Sequence, residues 1–397
     1  MDSAQERLVL FERTVRERTD LAHRVESLKL PYMTRENAKA DLTRVVHSLK
    51  QLKYIDLPHG AFCDSQASMM LRLELQCCNN LRWARFTAGG ELSFLTVGQI
   101  WPKIEHLQLR GLSTDVHRLV QVLLNLPLNE LQISDMSQFG DEAFSPSLHF
   151  PPLQTLALRD LPSLTSNGLT AYVSRPSVGH SITDLKLSRT GVRISDLHIV
   201  LGLCHSLSKL YVCEDVERPF SVTQIPLLAS SSLRTLSFEM NTLAQRPANW
   251  TSPSESYYSY IARSVLAGSL PSLKHLYALS PTLPNLLRNP RNNTEQSNTQ
   301  DRNPFQLSIH QTLFVYTKKI ADLEWDVTVF EPKMDSDRHP TRPVSLLNPP
   351  TLSPYWQNNN RKSVIVSNGF GGFLTIPEGP PTPGRLPLRE ERDAWMG

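Results

Sequence analysis

The chain has 397 residues, with 41 Lys plus Arg against 38 Asp plus Glu, a formal net charge of +3. That near-neutral balance argues against a dedicated nucleic-acid binder, which carries a strongly basic face. No run approaches the roughly 18–20 apolar residues needed to span a bilayer, so no membrane partner is expected. The start, MDSAQERLVLFERTVRERTD, scatters charges through its apolar residues and does not read as a signal peptide. The five cysteines (Cys63, Cys77, Cys78, Cys204, Cys213) are odd in number and lack CxxC spacing. They predict reduced thiols and a cytoplasmic or nuclear setting.

Residues 1–24 predict a capping helix with Leu8, Leu10, Phe11, Val15 and Leu21 apolar, covering the open edge of the first unit of a repeat array. From Val25 to about residue 280 one pattern recurs: apolar-x-x-apolar-x-apolar. It reads Val25-ESLKL, Leu52-KYIDL, Leu81-RWARF, Ile104-EHLQL, Leu128-NELQI, Leu153-QTLAL, Ile182-TDLKL, Leu207-SKLYV, Leu233-RTLSF and Leu273-KHLYA. Successive first residues are 27, 29, 23, 24, 25, 29, 25, 26 and 40 apart. All but the last spacing lie within the roughly 20–29 residues of a leucine-rich repeat. Positions four and six stand two apart and face one side of a strand, as with Leu107 and Leu109, while the residues between face the other.

Between strands the apolar period becomes helical. Ala38, Leu42, Val45, Val46 and Leu49 form one such face, with Thr34 as N-cap. Val116, Leu119, Val120, Leu123 and Leu124 form another, and Ile194, Leu197, Val200, Leu201 and Cys204 a third. Prolines at 102, 127, 152 and 271 stop the helices before the next strand. These features predict an α/β leucine-rich-repeat solenoid of about ten units over 25–280. It would be a right-handed horseshoe with parallel strands on its concave face and helices on its convex face.

Residues 281–310, which include NPRNNTEQSNTQDRN, read as a disordered polar linker. Residues 311–376 read as a C-terminal outlying repeat strand at Ile320-ADLEW and a β-hairpin cap, with Ser363-VIV and Phe373-LTI flanking the Asn368-Gly369 turn. Residues 377–397 read as a disordered tail.

No catalytic constellation is legible. The run Asn368-GFGGF lacks the third glycine of a dinucleotide fingerprint and the Lys-Ser/Thr of a P-loop. No G-x-S-x-G, H-E-x-x-H or embedded cysteine signature occurs. His59 with Cys63, and Cys77 with Cys78, do not complete the four convergent ligands of a zinc site. Cys77 and Cys78 close an apolar helix with Met70, Leu71, Leu73 and Leu75, where they are expected to pack as small hydrophobes. No enzyme activity, metal or cofactor is expected.

The expectation is a face that binds a protein target. Positions three, five and seven of the units project onto the concave side. They bring up Tyr54, Trp83, Arg85, His106, Arg110, Arg159, Lys186, Lys209, Tyr211 and Tyr277 as candidate contacts. Asp56, Gln108, Glu130, Gln132, Asp184 and His275 lie among them, and Asp322, Glu324 and Asp326 form an acidic group at one end. Tyr, Trp and Arg are the types that dominate interface energetics. An ordinary solvated sheet face is the alternative.

Several stretches resemble the repeat portion of fungal F-box / leucine-rich-repeat proteins. They are Leu21-AHRVESLKLP, Met33-TRENAKADL, Tyr54-IDLP, Pro219-Phe220, Ser256-YYSYI and Arg361-KSVIVSNGFGGFL. The resemblance implies a substrate receptor: an F-box docks on the Skp-type adaptor of a cullin-RING ubiquitin ligase, and the repeats hold the protein to be ubiquitinated. The 24 residues ahead of the first repeat do not read as an F-box, which opens on a Leu-Pro-x-Glu-type motif and needs a few dozen residues. Either an F-box lies upstream of Met1, or this is a repeat protein without ligase docking, such as a GTPase regulator. The mixed tail RLPLREERDAWMG lacks the acidic character typical of the leucine-rich-repeat GTPase activators.

Overall fold

The structure is a computed structural model that describes residues 4–30, 36–56, 66–220, 225–242, 252–288, 311–319, 324–332 and 361–364. All of them belong to one compact unit, Met1–Val364. Its frame is an open sheet of 13 strands whose order in space is their order in sequence. Ten of them begin at position three of the ten recurring motifs: β1 Ser27–Lys29, β2 Tyr54–Asp56, β3 Trp83–Thr87, β4 His106–Arg110, β5 Glu130–Ser134, β6 Thr155–Thr165, β7 Asp184–Gly191, β8 Lys209–Val216, β9 Thr235–Thr242 and β10 His275–Ala278. Each pairs in parallel with the next.

The register keeps the repeats in phase. Leu107, Leu131, Leu156, Leu185, Leu210, Leu236 and Leu276, all at position four, are direct partners across successive strands. At the strand entrances the position-two amide donates to the position-two carbonyl of the unit before. The ladder runs Lys53 to Glu26, Arg82 to Lys53, Glu105 to Arg82, Asn129 to Glu105, Gln154 to Asn129, Thr183 to Gln154, Ser208 to Thr183, Arg234 to Ser208 and Lys274 to Arg234. A one-residue slip would turn every leucine of a strand to the wrong side.

Helices fill the connections and bury their apolar stripe against the leucines. In Val116–Leu124, Asp115 caps the start by accepting from the Arg118 amide at 3.2 Å, and Val116, Leu119, Val120 and Leu123 are buried. Leu124, expected on the same stripe, is exposed because its position has rotated past the contact with the sheet. Ile194, Leu197, Val200, Leu201 and Cys204 are all buried, across a short 3₁₀ turn and the helix Leu197–Leu203. Between β5 and β6 the place of an α-helix is taken by two 3₁₀ turns, Asp141–Phe144 and Pro146–Leu148. There Phe139, Phe144, Phe150 and Tyr172 pack ring against ring, with Phe144 stacked on Tyr172 at 4.7 Å. The buried Tyr172 hydroxyl donates to the Pro151 carbonyl at 2.9 Å.

At the start, helix Ala4–Glu17 packs on helix Glu36–Ser48 and buries Leu8 and Val15. Leu10 and Leu21, expected in the same contact, are exposed; Leu10 stands off the face set by Leu8 and Val15, two turns apart, and Leu21 lies in a separate short helix, Thr19–Ala22, that buries Ala22 instead. In helix Gln66–Leu75, Leu71 and Leu75 are buried, but Met70 and Leu73 are exposed. Cys78 is buried, whereas Cys77 points to solvent, which corrects the expectation that both pack in the core.

The C-terminal part departs most from expectation. The stretch read as a linker opens with a helix, Leu283–Arg288, whose Leu283, Pro284 and Leu287 are buried. The strand expected at Ile320-ADLEW is not the next parallel strand. That role belongs to β11, Leu313–Thr317, which pairs with β10 so that Val315 takes the position of Leu276. Trp325 instead opens β12, Trp325–Phe330, antiparallel to β11, and β13, Arg361–Val364, is antiparallel to β12. The Phe373 half of the expected hairpin, the glycine run at 368–373, His59, Cys63, Thr34 and the Asn-rich segment lie outside the described residues. Among the described residues no helix is long and apolar enough to cross a membrane.

Candidate interaction face

One side of the sheet is sealed by the leucines and the helices; the other, here the open face, carries positions three, five and seven. The strand register arranges these positions in three rows. The first contains Tyr54, Trp83, His106, Glu130, Thr155, Asp184, Lys209, Thr235 and His275. The second contains Arg85, Gln108, Gln132, Ala157, Lys186, Tyr211, Ser237 and Tyr277, and the third Thr87, Arg110, Ser134, Arg159, Ser188, Cys213 and Glu239. All ten candidate contacts therefore lie in one continuous array. Arg110 is exposed and the other nine are half-buried.

Three of them form one knot. Tyr54 stacks on Trp83 with centroids 4.3 Å apart, and the Arg85 guanidinium lies 5.7 Å from the Trp83 centroid. Arg85 Nη1 is 3.0 Å from an Asp56 carboxylate oxygen, and Arg85 Nε donates to Gln108 at 2.7 Å. Asp56 and Gln108, expected to face solvent, are consequently covered, at 6% and 7% exposure. His106 Nδ1 lies 3.0 Å from Glu130. This hydrogen bond lifts the imidazole above its ordinary range and holds the Glu130 carboxyl below its own. Lys209 reaches Asp184 only loosely, at 4.0 Å, and the Tyr211 hydroxyl donates to Glu239 at 3.3 Å.

The rim past the third row is built unusually. Gly111, Asp135, Asp160 and Arg189 follow Arg110, Ser134, Arg159 and Ser188 at the same place in four successive units. All four have left-handed backbones, with φ of 63°, 55°, 52° and 48°. For the three side-chain-bearing residues this costs on the order of 1 kcal/mol each. Ion pairs hold the rim: Arg110 to Asp135 at 2.7 Å, and Asp160 between Arg159 at 3.1 Å and Arg189 at 2.6 Å. Next along the rim, burial pushes the Glu214 carboxyl up to about 7, although it accepts from the Thr190 amide at 3.0 Å.

No family model matches the chain, and no curated protein matches it. Solved structures do. One, described as the crystal structure of the Rad7 and Elc1 complex in yeast, is 14% identical, with 68% of this chain and 67% of that chain covered and a TM-score of 0.45. A likeness at that level carries no argument about what this chain binds.

Reading the residues alone missed the open-face side chains of the last strands. Phe314, Tyr316 and Trp325 join His275 and Tyr277, with Tyr277 stacked on Tyr316 at 4.3 Å and 9°. The signal was the alternation in Leu313-FVYT, where Leu313, Val315 and Thr317 are buried and Phe314 and Tyr316 are not. A search keyed on leucine at position one passes over it, because Thr312 stands there.

The helix side carries a depression lined by Gly202, His205, Ser230, Ser232 and Ser269. Its hydroxyls are used locally: Ser232 donates to Leu207, and Ser269 donates to Leu228. Among the described residues no group of three or more His, Cys, Asp or Glu converges to hold a metal.

Proposed function

We propose that the chain is a leucine-rich-repeat solenoid serving as a non-catalytic protein-interaction scaffold, with the open face as the concave surface that holds a protein target. The observation that carries this reading is the in-phase array, in which ten motifs supply one uninterrupted surface rich in Tyr, Trp, Arg and His. Tyr54, Trp83 and Arg85 at one end and Tyr277 at the other are its anchors, with His106, Arg110, Arg159, Lys186, Lys209 and Tyr211 between them.

The finer reading is the substrate-recognition part of an F-box-type receptor for a cullin-RING ubiquitin ligase, working in cytoplasm or nucleus. It rests on the sequence resemblance. One piece of geometry supports treating the resembling stretches as parts of one architecture: Phe220 of the Pro219-Phe220 pair lies 4.7 Å from Tyr257 and 5.1 Å from Tyr260 of Ser256-YYSYI, and its amide donates to Ser256 at 2.7 Å. The free thiols Cys77, Cys78, Cys204 and Cys213 suit a reducing compartment.

Co-purification of the full-length gene product tests this reading. Recovery of a Skp-type adaptor and a cullin is the expected result. Their absence, with a GTPase recovered instead, would replace the ligase reading by that of a regulatory repeat protein.

A further inference from the structure

The open face changes chemistry toward its C-terminal end. Through the middle strands the outward positions are mostly polar and drawn against each other. At β10 to β12 they become His275, Tyr277, Phe314, Tyr316, Val327 and Trp325. Tyr277 lies flat on Tyr316, and His275 stacks on Phe314 at 5.5 Å. Trp325 stands at 89° to Tyr277 with centroids 5.7 Å apart, so the rings form a corner. The antiparallel register places Lys318 opposite Trp325, and its ammonium lies 5.0 Å from the Trp325 centroid. The chain thus sets one of its own cations on this ring, within the roughly 6 Å over which a ring face attracts positive charge.

The surroundings favour the same sign. Glu239, on the neighbouring strand of the open face, is 7% exposed and accepts from Tyr211 and from Ser237. Asp326, expected on this face, pairs with the buried Thr317 and takes the opposite side of the sheet from Trp325, and Glu324 precedes the strand, so neither adds to the corner. A carboxylate or phosphate brought here would meet the Glu239 carboxylate and the negative ring faces. An arginine or lysine would meet complementary charge and could lay its aliphatic stem along the rings.

We propose that this aromatic corner takes a segment of a protein partner carrying arginine or lysine, the cationic group lying on Trp325 in place of Lys318. The inference rests on the protein-interaction reading above and adds the partner's chemistry and where it seats. The rings span adjacent strands about 4.8 Å apart, which suits an extended segment laid across the sheet.

The test is a titration of the full chain with a fluorescein-labelled peptide of four Gly-Arg pairs, and with its Gly-Gln counterpart, followed by anisotropy. The arginine peptide should bind at least ten-fold more tightly than the glutamine peptide. Trp325→Ala should weaken it five-fold or more, while Trp325→Phe should keep most of the affinity. Lys318→Gln should tighten binding about two- to five-fold by removing the competing cation. Lys319→Gln makes the same charge change at the next residue and should shift it by less than two-fold. Equal binding of the two peptides, or equal effects of the two lysine substitutions, would overturn the proposal, and the lysine pair decides it even if Trp325→Ala folds poorly. Co-purifying partners are scored on the same wild-type preparation: their presence beside a failed titration overturns this inference alone, whereas absence of any partner counts against the scaffold reading itself.

Discussion

The middle of the open face, from Trp83 to Lys209, and its end, from His275 to Trp325, stand on one continuous buried floor but meet water differently. In the middle, Arg85 covers Asp56, His106 lies against Glu130, and Asp160 holds two arginines, so charges are matched at short range. At the end, rings cover rings, and Lys318 is the cation on them. The repeat dictates only the buried positions, because the core demands a side chain, most often leucine, that can leave water there. The outward positions are free to differ from unit to unit, and that freedom is where specificity can be written.

The comparison breaks first if the floors differ. Leu131→Ala beneath the charged stretch and Leu276→Ala beneath the aromatic end both empty fully buried sites. Each is expected to cost about 2–5 kcal/mol in denaturant unfolding. A loss below about 1 kcal/mol at either site would mean that the end is not part of the same core.

Arg85→Ala sharpens the electrostatic half. It strands the nearly buried Asp56 carboxylate and should destabilise by about 1–3 kcal/mol. The double variant with Asp56→Asn should recover part of that loss, whereas simple additivity of the two substitutions would contradict the pairing.

Glu214 gives a pH signature. Burial raises its carboxyl to about 7, so the folded chain holds the proton more tightly than the unfolded one. Its contribution to stability is therefore full below about pH 4.5 and is lost as pH rises toward 7. Glu214→Gln should raise the melting temperature near neutrality, with the gain shrinking as the pH falls to 4.5. A gain independent of pH would remove this account of the rim.

The smallest effect belongs to the His106–Glu130 pair, which is two-fifths exposed and screened by solvent. The raised imidazole contributes stability below its unfolded pKa and loses it as pH rises through the higher folded value. The lowered Glu130 contributes above its unfolded pKa and loses it as pH falls through the lower folded value. Unfolding should show a shallow stabilising window between the two, a few tenths of a kcal/mol at most, which Glu130→Gln abolishes.

Much of the fold was legible in the residues. The ten strand starts follow from the leucine spacing because strand periodicity and the parallel register both act on the same positions. Helix faces were legible to within a residue or two, and misplaced residues such as Leu10, Leu73 and Leu124 sit at the margin of an apolar stripe where composition cannot tell contact from solvent. The final strands were misread because β11 replaces leucine with Val315 and Thr317, and because antiparallel pairing needs no repeat spacing. On the open face the residue types were legible but their partners were not. Pairings such as Arg85 with Asp56 join residues 29 positions apart, and only the strand register brings them together.

The central claim is that the open face binds the partner and the helix side does not. The most direct measurement compares partner retention, by quantitative co-purification, for two folded triple variants. One replaces Trp83, Arg85 and Tyr211 with alanine on the open face. The other replaces Leu92, Leu124 and Ile199 with serine, all exposed apolar residues in the helices. The first should lose its partner and the second should keep it; retention by the first with loss by the second would contradict the claim.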